Sequence, residues 1–189
     1  MLSYQHIYHA GNLADVQKHA LLAWMLSYLT RKDKPLTYLE THAGRALYDL
    51  SDAAAEKTGE CHLSDGFEMA FALTPPTPRR GMLLIDPSYE IKTDYETIPR
   101  QIAKLSRAWN VGIIALWYPI LTNRAHVPML DTLTANHPEA LRHEVRFPPA
   151  RPGHGMVGSG MFVINPPYGL ETEAQNLTAR FATLTQQER

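Results

Sequence analysis

Cysteine is almost absent from this 189-residue chain, where Cys61 stands alone. One thiol cannot close an intrachain disulfide, and it cannot supply the cysteine sets of structural zinc sites. Long hydrophobic runs are missing too: none reaches the roughly 18–20 residues that cross a bilayer, and no secretory leader is read at the start. A soluble cytoplasmic protein with no membrane partner is the expectation. Charge of one sign is lacking, since 18 Lys and Arg against 19 Asp and Glu give a net −1. A nucleic-acid partner would therefore be met by a local basic patch rather than by the whole surface. Candidates are Arg31, Lys32 and Lys34; Arg79 and Arg80; and Arg142, Arg146 and Arg151. Each set also suits a solvated face. There are no internal repeats or low-complexity tracts, and 44% apolar residues suffice for one core, so residues 1–189 are read as a single domain.

The most informative stretch is Gly81-Met82-Leu83-Leu84-Ile85-Asp86-Pro87-Ser88-Tyr89. An apolar run of strand length ends at an aspartate, a turn-forming Pro-Ser and an aromatic. Such an ending delivers a carboxylate and a ring to the rim of an open α/β sheet, where ligands bind. The combination suits an exocyclic amine on a flat base. Asp86 and the Pro87 carbonyl can each accept a hydrogen bond from the amine, and Tyr89 can stack on the ring. A base in a duplex must leave its stack before such chemistry reaches it. The same residues also fit an ordinary type I turn after a buried strand.

Helical and strand periods alternate along the chain. A helix is expected over 13–30, capped by Asn12, with Val16, Ala20, Trp24 and the Leu21/Leu22 pair as inward candidates. A strand follows at Leu36–Glu40, then the turn Thr41-His42-Ala43-Gly44 into a helix near 46–57. Cys61–Ser64 is at most a short strand, Phe67–Leu73 a short helix and Met82–Ile85 a strand. Ile98, Ile102, Leu105 and Trp109 form a helical stripe. Val111–Tyr118 reads as a doubly buried strand. A helix near 128–136, strands at Leu141–Phe147 and Met161–Ile164 around a Gly/Pro loop over Pro148–Gly160, and a last helix with Leu177, Phe181 and Leu184 on one face complete the order. Strands alternating with helices, then a closing pair, indicate a doubly wound, mostly parallel sheet with an antiparallel last strand and helices on both faces.

A second motif competes with the first. Asn165-Pro166-Pro167-Tyr168 also follows an apolar strand and has the second proline that Asp86-Pro87-Ser88-Tyr89 lacks. Position favours Asp86, because a helix, a strand, another helix and the closing pair follow it, whereas only one helix follows Tyr168. The turn Thr41-His42-Ala43-Gly44 is a reduced nucleotide-approach site, short of a full Gly-x-Gly-x-x-Gly. Asp65-Gly66 is a further candidate turn, whose carboxylate suits either an adenine amine or the N-cap of the next helix.

Several stretches together carry a family resemblance. They are Met1–His19, Tyr38–Gly44, Ser64–Phe67, Arg79–Glu90, Lys92–Tyr95, Ala115–Pro119 and Gly158–Met161. The chain resembles the bacterial 23S ribosomal RNA adenine-N6 methyltransferase J family over nearly its whole length. The resemblance implies a Rossmann-like class I fold and S-adenosylmethionine as cofactor. It also implies methylation of one adenine amine in 23S rRNA, taken free of the assembled ribosome, with a monomer favoured. Some members were described as helping cells use external DNA as a nutrient. By the same resemblance Asp86 is the catalytic carboxylate, and His19, His42, Asp65 and Gly66 are cofactor contacts. Tyr4 is a substrate-side aromatic, to which His6 and Lys18 are added because a Tyr-x-His segment before a helix bearing Lys18 and His19 can offer stacking and hydrogen-bonding groups in one mouth.

Two departures stand out. Ser88 occupies the second-proline position of many adenine-amine methyltransferases. The segment from Gly44 to Asp86 is also short for the two strands an ordinary fold places there, one of which ends in the acid that holds the cofactor ribose. Either part of the pocket is lost, or the sequence is joined across an omission near Glu60–Cys61, with several dozen residues of an inserted lobe absent. The omission is the expectation. Two alternatives stay open beside the methyltransferase: a catalytically impaired nucleic-acid-binding relative, and a metal-dependent nuclease using His6, His9 and Asp15 with other histidines.

Overall fold

The computed structural model describes residues 12–42, 64–148 and 152–187, with side chains up to residue 183. The expected helix near 46–57, residues 61–63 of the expected Cys61–Ser64 strand, the Glu60–Cys61 junction, Tyr4, His6 and His9 lie outside the described residues, and Ser64 is an exposed bend.

Helix α1 (Leu13–Thr30) opens on Asn12, whose side chain accepts a hydrogen bond from the Asp15 amide at 2.9 Å. Strand β1 (Thr37–Glu40) and helix α2 (Gly66–Leu73) follow, then β2 (Gly81–Ile85), α3 (Asp94–Ala108), β3 (Ile113–Leu121), α4 (Val127–Asn136), β4 (Leu141–Arg146), β5 (Met156–Ile164) and α5 (Leu170–Gln187). The sheet order is β1-β2-β3-β5-β4. Strands β1, β2 and β3 are parallel, and β5 is antiparallel to both β3 and β4, so β4 runs with the first three. Among the described residues the last strand is thus the one antiparallel member, inserted between β3 and β4.

Period-two alternation divides each strand between two cores. Leu83 and Ile85 of β2 with Ile114, Leu116 and Tyr118 of β3 face α2, α3 and α4. Met82 and Leu84 with Ile113 and Ala115 face α1 and α5. The stripe Ile98, Ile102, Leu105 and Trp109 is fully enclosed, as are Leu177 and Phe181 of α5.

Three boundaries and one face differ from the sequence reading. Val111 is exposed, because the chain turns there with the Gly112 amide on the Trp109 carbonyl before β3 begins. Strand β3 continues past Pro119 to Leu121. Residues 156–160, expected in a loop, belong to β5. Their glycines are packing requirements: a Cβ on Gly160 would lie 2.2 Å from the Tyr118 ring, which crosses there to donate its hydroxyl to Glu144. On α1, Val16 points outward at 43% exposure, while Gln17 and Lys18 are buried.

Candidate active site

Strand β2 ends at Ile85, and Asp86 emerges at the carboxyl edge of the parallel strands. Helix α1 crosses this edge on the other side and lowers Lys18 onto it. The Lys18 ammonium donates to Asp86 Oδ2 at 2.7 Å and lies 3.2 Å from Asp15 one helical turn back. It also stands over the Trp117 ring, 5.4 Å from the centroid. Burial works against this ammonium, but the charges and hydrogen bonds of Asp86 and then Asp15 outweigh it and raise Lys18 above its ordinary value. A lysine enclosed this tightly requires such partners.

Strand β1 delivers Thr41 and His42 to the same edge. The His42 imidazole is within 2.6 Å of the Thr41 hydroxyl and edge-on to Phe67. Crowding by its surroundings pulls His42 below its ordinary value, against the field of Asp86, Asp94 and Asp65, so the ring is neutral near pH 7. Asp94, at the start of α3, is raised by desolvation and lowered by His42. Tyr38 donates to Glu40, and burial followed by that contact raises the phenol strongly.

Asp65 caps α2: one of its carboxylate oxygens accepts from the Phe67 and Glu68 amides, each at 2.9 Å. Gly66 is required by contact, since a Cβ there would lie 1.9 Å from the Thr41 carbonyl oxygen. The missing side chain therefore lets the start of α2 close on the end of β1.

The candidate residues thus fall into distinct groups. Lys18 and Asp86 are in direct contact, and His42 shares their electrostatic neighbourhood with Asp65. His19 is exposed on α1, one residue beyond Lys18. Tyr89 departs from its expected place. It is 8% exposed, its ring stacks on Tyr95 at 4.8 Å, and its hydroxyl donates to the Trp117 carbonyl at 2.8 Å. Its φ of 56° is costly for a bulky residue. This ring is therefore a core piece that shapes the turn after Asp86, not an open stacking platform. Trp117 and Asp15 were not singled out from sequence as members of this site. The i,i+3 spacing of Asp15 and Lys18 was the available signal.

The competing motif stands at the opposite edge. Ile164 pairs with Ile114 near the start of β3, and the Asn165 amide donates to the carbonyls of Asn110 and Gly112. Its side chain is spent on closing the α3–β3 corner. Asp15, proposed for a nuclease, is instead engaged by Lys18. Among the described residues, no group of three His, Cys, Asp or Glu could hold a metal ion. No described helix is long and apolar enough to cross a membrane.

Three parallel strands with a carboxylate at their carboxyl edge, flanked by helices on both faces and closed by an inserted antiparallel strand, define a Rossmann-like methyltransferase fold. A family model described as "Ribosomal RNA large subunit methyltransferase D, RlmJ" matches residues 61–188. The curated "Ribosomal RNA large subunit methyltransferase J" of Escherichia coli (strain K12) is 31% identical over 256 residues, covering 94% of this chain and 91% of that protein. The protein of the same name from Haemophilus influenzae is 30% identical, covering 94% and 92%. A crystal structure of a Legionella pneumophila protein superposes with a TM-score of 0.78 at 29% identity, covering 94% of this chain and 93% of that one. The chain belongs to the ribosomal RNA large subunit methyltransferase J family. The two alignments, over 256 and 257 residues, exceed the 189 residues present, so a long stretch of each relative has no counterpart here.

Proposed function

We propose that this protein methylates the N6 amine of one adenine in 23S rRNA, using S-adenosylmethionine, on RNA not yet assembled into ribosomes. The observation that carries this reading is the Asp86 carboxylate at the carboxyl edge of β2, held at one oxygen by Lys18. The residues present suit the cofactor. Asp86, Asp94 and Asp65 all act on His42, an acidic surrounding appropriate to a cationic nucleoside, and Gly66 lets the start of α2 close on the end of β1 beside it. His19, His42, Asp65 and Gly66 are assigned to hold it. Bound S-adenosylmethionine supplies the methyl group as an electrophile on a sulfonium sulfur.

The chain's own residues then align the amine. Asp86 Oδ1, which has no hydrogen-bond partner among the described residues, and the Pro87 carbonyl accept the two N–H groups. This turns the nitrogen lone pair outward, and Asp86 takes the surplus proton once the nitrogen is alkylated. Lys18 fixes the carboxylate through Oδ2. Tyr4 and His6 are assigned to the base and its strand. Tyr89 supports the turn from beneath. The protein acts as a monomer in the cytoplasm in this reading.

A second reading is favoured by one observation, the long stretch of the relatives that has no counterpart here. If the continuous chain is a single domain without a lobe near Glu60–Cys61, it lacks the acid expected to hold the cofactor ribose and is an impaired RNA-binding relative. Calorimetric titration with S-adenosylmethionine, methyl transfer to protein-free 23S rRNA and the intact mass separate the two. Binding with formation of N6-methyladenine supports the enzyme. An intact mass of 21.3 kDa with neither binding nor transfer establishes the impaired relative.

A further inference from the structure

Beneath the site lies a chain of polar groups, buried at Ser159, Gln17 and His143 and reaching the surface at Thr178, whose direction is fixed by its first member. The Trp117 indole N–H can only donate, and it donates to Ser159 Oγ at 2.8 Å. The Ser159 hydroxyl hydrogen is then directed to Gln17 Oε1, also at 2.8 Å. The Gln17 amide must therefore turn its Nε2 toward His143 Nδ1, 2.9 Å away. A donor facing Nδ1 places the His143 proton on Nε2, from which it is given to Thr178 Oγ1 at 3.0 Å. The Thr178 hydroxyl ends the chain on the Ala174 carbonyl. Burial lowers His143 from its ordinary value, in keeping with a neutral ring.

Gln17 is fully buried and is the only member of this chain on α1. It ties that helix to β5 and β4 at the residue immediately before Lys18. Trp117, at the other end, is the ring over which the Lys18 ammonium stands. The same hydrogen bonds therefore hold both the helix that carries Lys18 and the ring beneath it. An apolar side chain at position 17 would fill the space but leave α1 free to shift along the sheet, because dispersion contacts are not directional.

We propose that Gln17 is a positioning residue for methyl transfer, setting α1 against Trp117 and Ser159 so that Lys18 reaches Asp86 in one geometry. The part that concerns transfer rests on the methyltransferase reading, whereas the part that concerns Lys18 does not.

The test compares Gln17→Leu and Trp117→Phe with Thr178→Val, which breaks the same chain at its far end. Side-chain NMR follows the Lys18 titration, and steady-state kinetics use S-adenosylmethionine and protein-free 23S rRNA. Gln17→Leu and Trp117→Phe are expected to lower the Lys18 titration point and to cut kcat about tenfold, with both KM values within about threefold. Thr178→Val should leave both readouts near those of the parent. An unchanged Lys18 titration in folded Gln17→Leu overturns the proposal, and so does an equal effect from Thr178→Val. If Gln17→Leu does not fold, Ser159→Ala, which removes the partner of Gln17 Oε1 without removing the ring over which Lys18 stands, decides by the same criteria. If the parent protein transfers no methyl group, the methyltransferase reading fails and the NMR titration still judges the positioning role.

Discussion

Replacing Lys18 by Met keeps most of the side-chain volume and removes the cation from between two carboxylates. The side chains of Lys18 and Asp15 are each 5% exposed, and that of Asp86 is 22% exposed. Removing one partner of a fully enclosed pair costs about 3–5 kcal/mol, chiefly because a buried charge is left uncompensated. Access of water to Asp86 reduces this, so about 2–3 kcal/mol is expected for Lys18→Met. At about 2–4 °C per kcal/mol for a domain of this size, the melting temperature should fall by about 4–12 °C near neutral pH. The pH dependence has a definite sign. The Lys18 value is raised in the folded protein above the 10.5 of a free side chain. Its contribution is therefore fully present below that point and is lost as pH rises through the folded value. Thermal unfolding followed by circular dichroism should show parent and variant well separated near neutrality and converging at strongly alkaline pH. Equal melting temperatures near neutrality would refute the reasoning, and so would a gap that widens as pH rises.

Three further outcomes are expected. Asp86→Ala should abolish transfer to 23S rRNA while leaving S-adenosylmethionine affinity within about tenfold, or about 1.4 kcal/mol; Asn165→Ala should keep activity and lose about 1–3 kcal/mol of stability at the Asn110–Gly112 corner. Loss of transfer in Asn165→Ala with retention in Asp86→Ala, measured by methyl incorporation, would reverse the assignment of the two motifs. Tyr89→Phe should cost about 1 kcal/mol in denaturant titration through the lost bond to the Trp117 carbonyl, and Tyr89→Ala about 3–5 kcal/mol as a core truncation; wild-type stability in Tyr89→Ala would mark the ring as surface. Gly66→Ala should weaken S-adenosylmethionine binding and lower the melting temperature together, because its Cβ would meet backbone at Thr41 rather than a movable side chain. Normal calorimetric affinity in that variant would remove Gly66 from the cofactor site.

The sequence by itself determined the order of elements and the fold class. Helical stripes such as Ile98, Ile102 and Leu105, and apolar runs such as Met82–Ile85, are local periodicities that need no knowledge of the partner surface. The helix cap at Asn12 and the place of Asp86 at a strand end were legible for the same reason. Tertiary structure decided what periodicity cannot encode. Helical periodicity gave Gln17 no inward role and the sequence placed Lys18 at the substrate mouth, yet both are buried because their partners stand far away in the chain: 68 residues on for Lys18 at Asp86, and 126 and 142 residues on for Gln17 at His143 and Ser159. Gly158 and Gly160 read as loop, yet they lie in β5 where Ile120 and Tyr118 fill the space of their absent side chains. Tyr89 read as an open stacking ring, yet Tyr95 and the Trp117 carbonyl enclose it. In each case the deciding free energy is that of a buried polar group meeting its partner, or of a side chain filling a space, and that partner or space exists only once distant strands have come together.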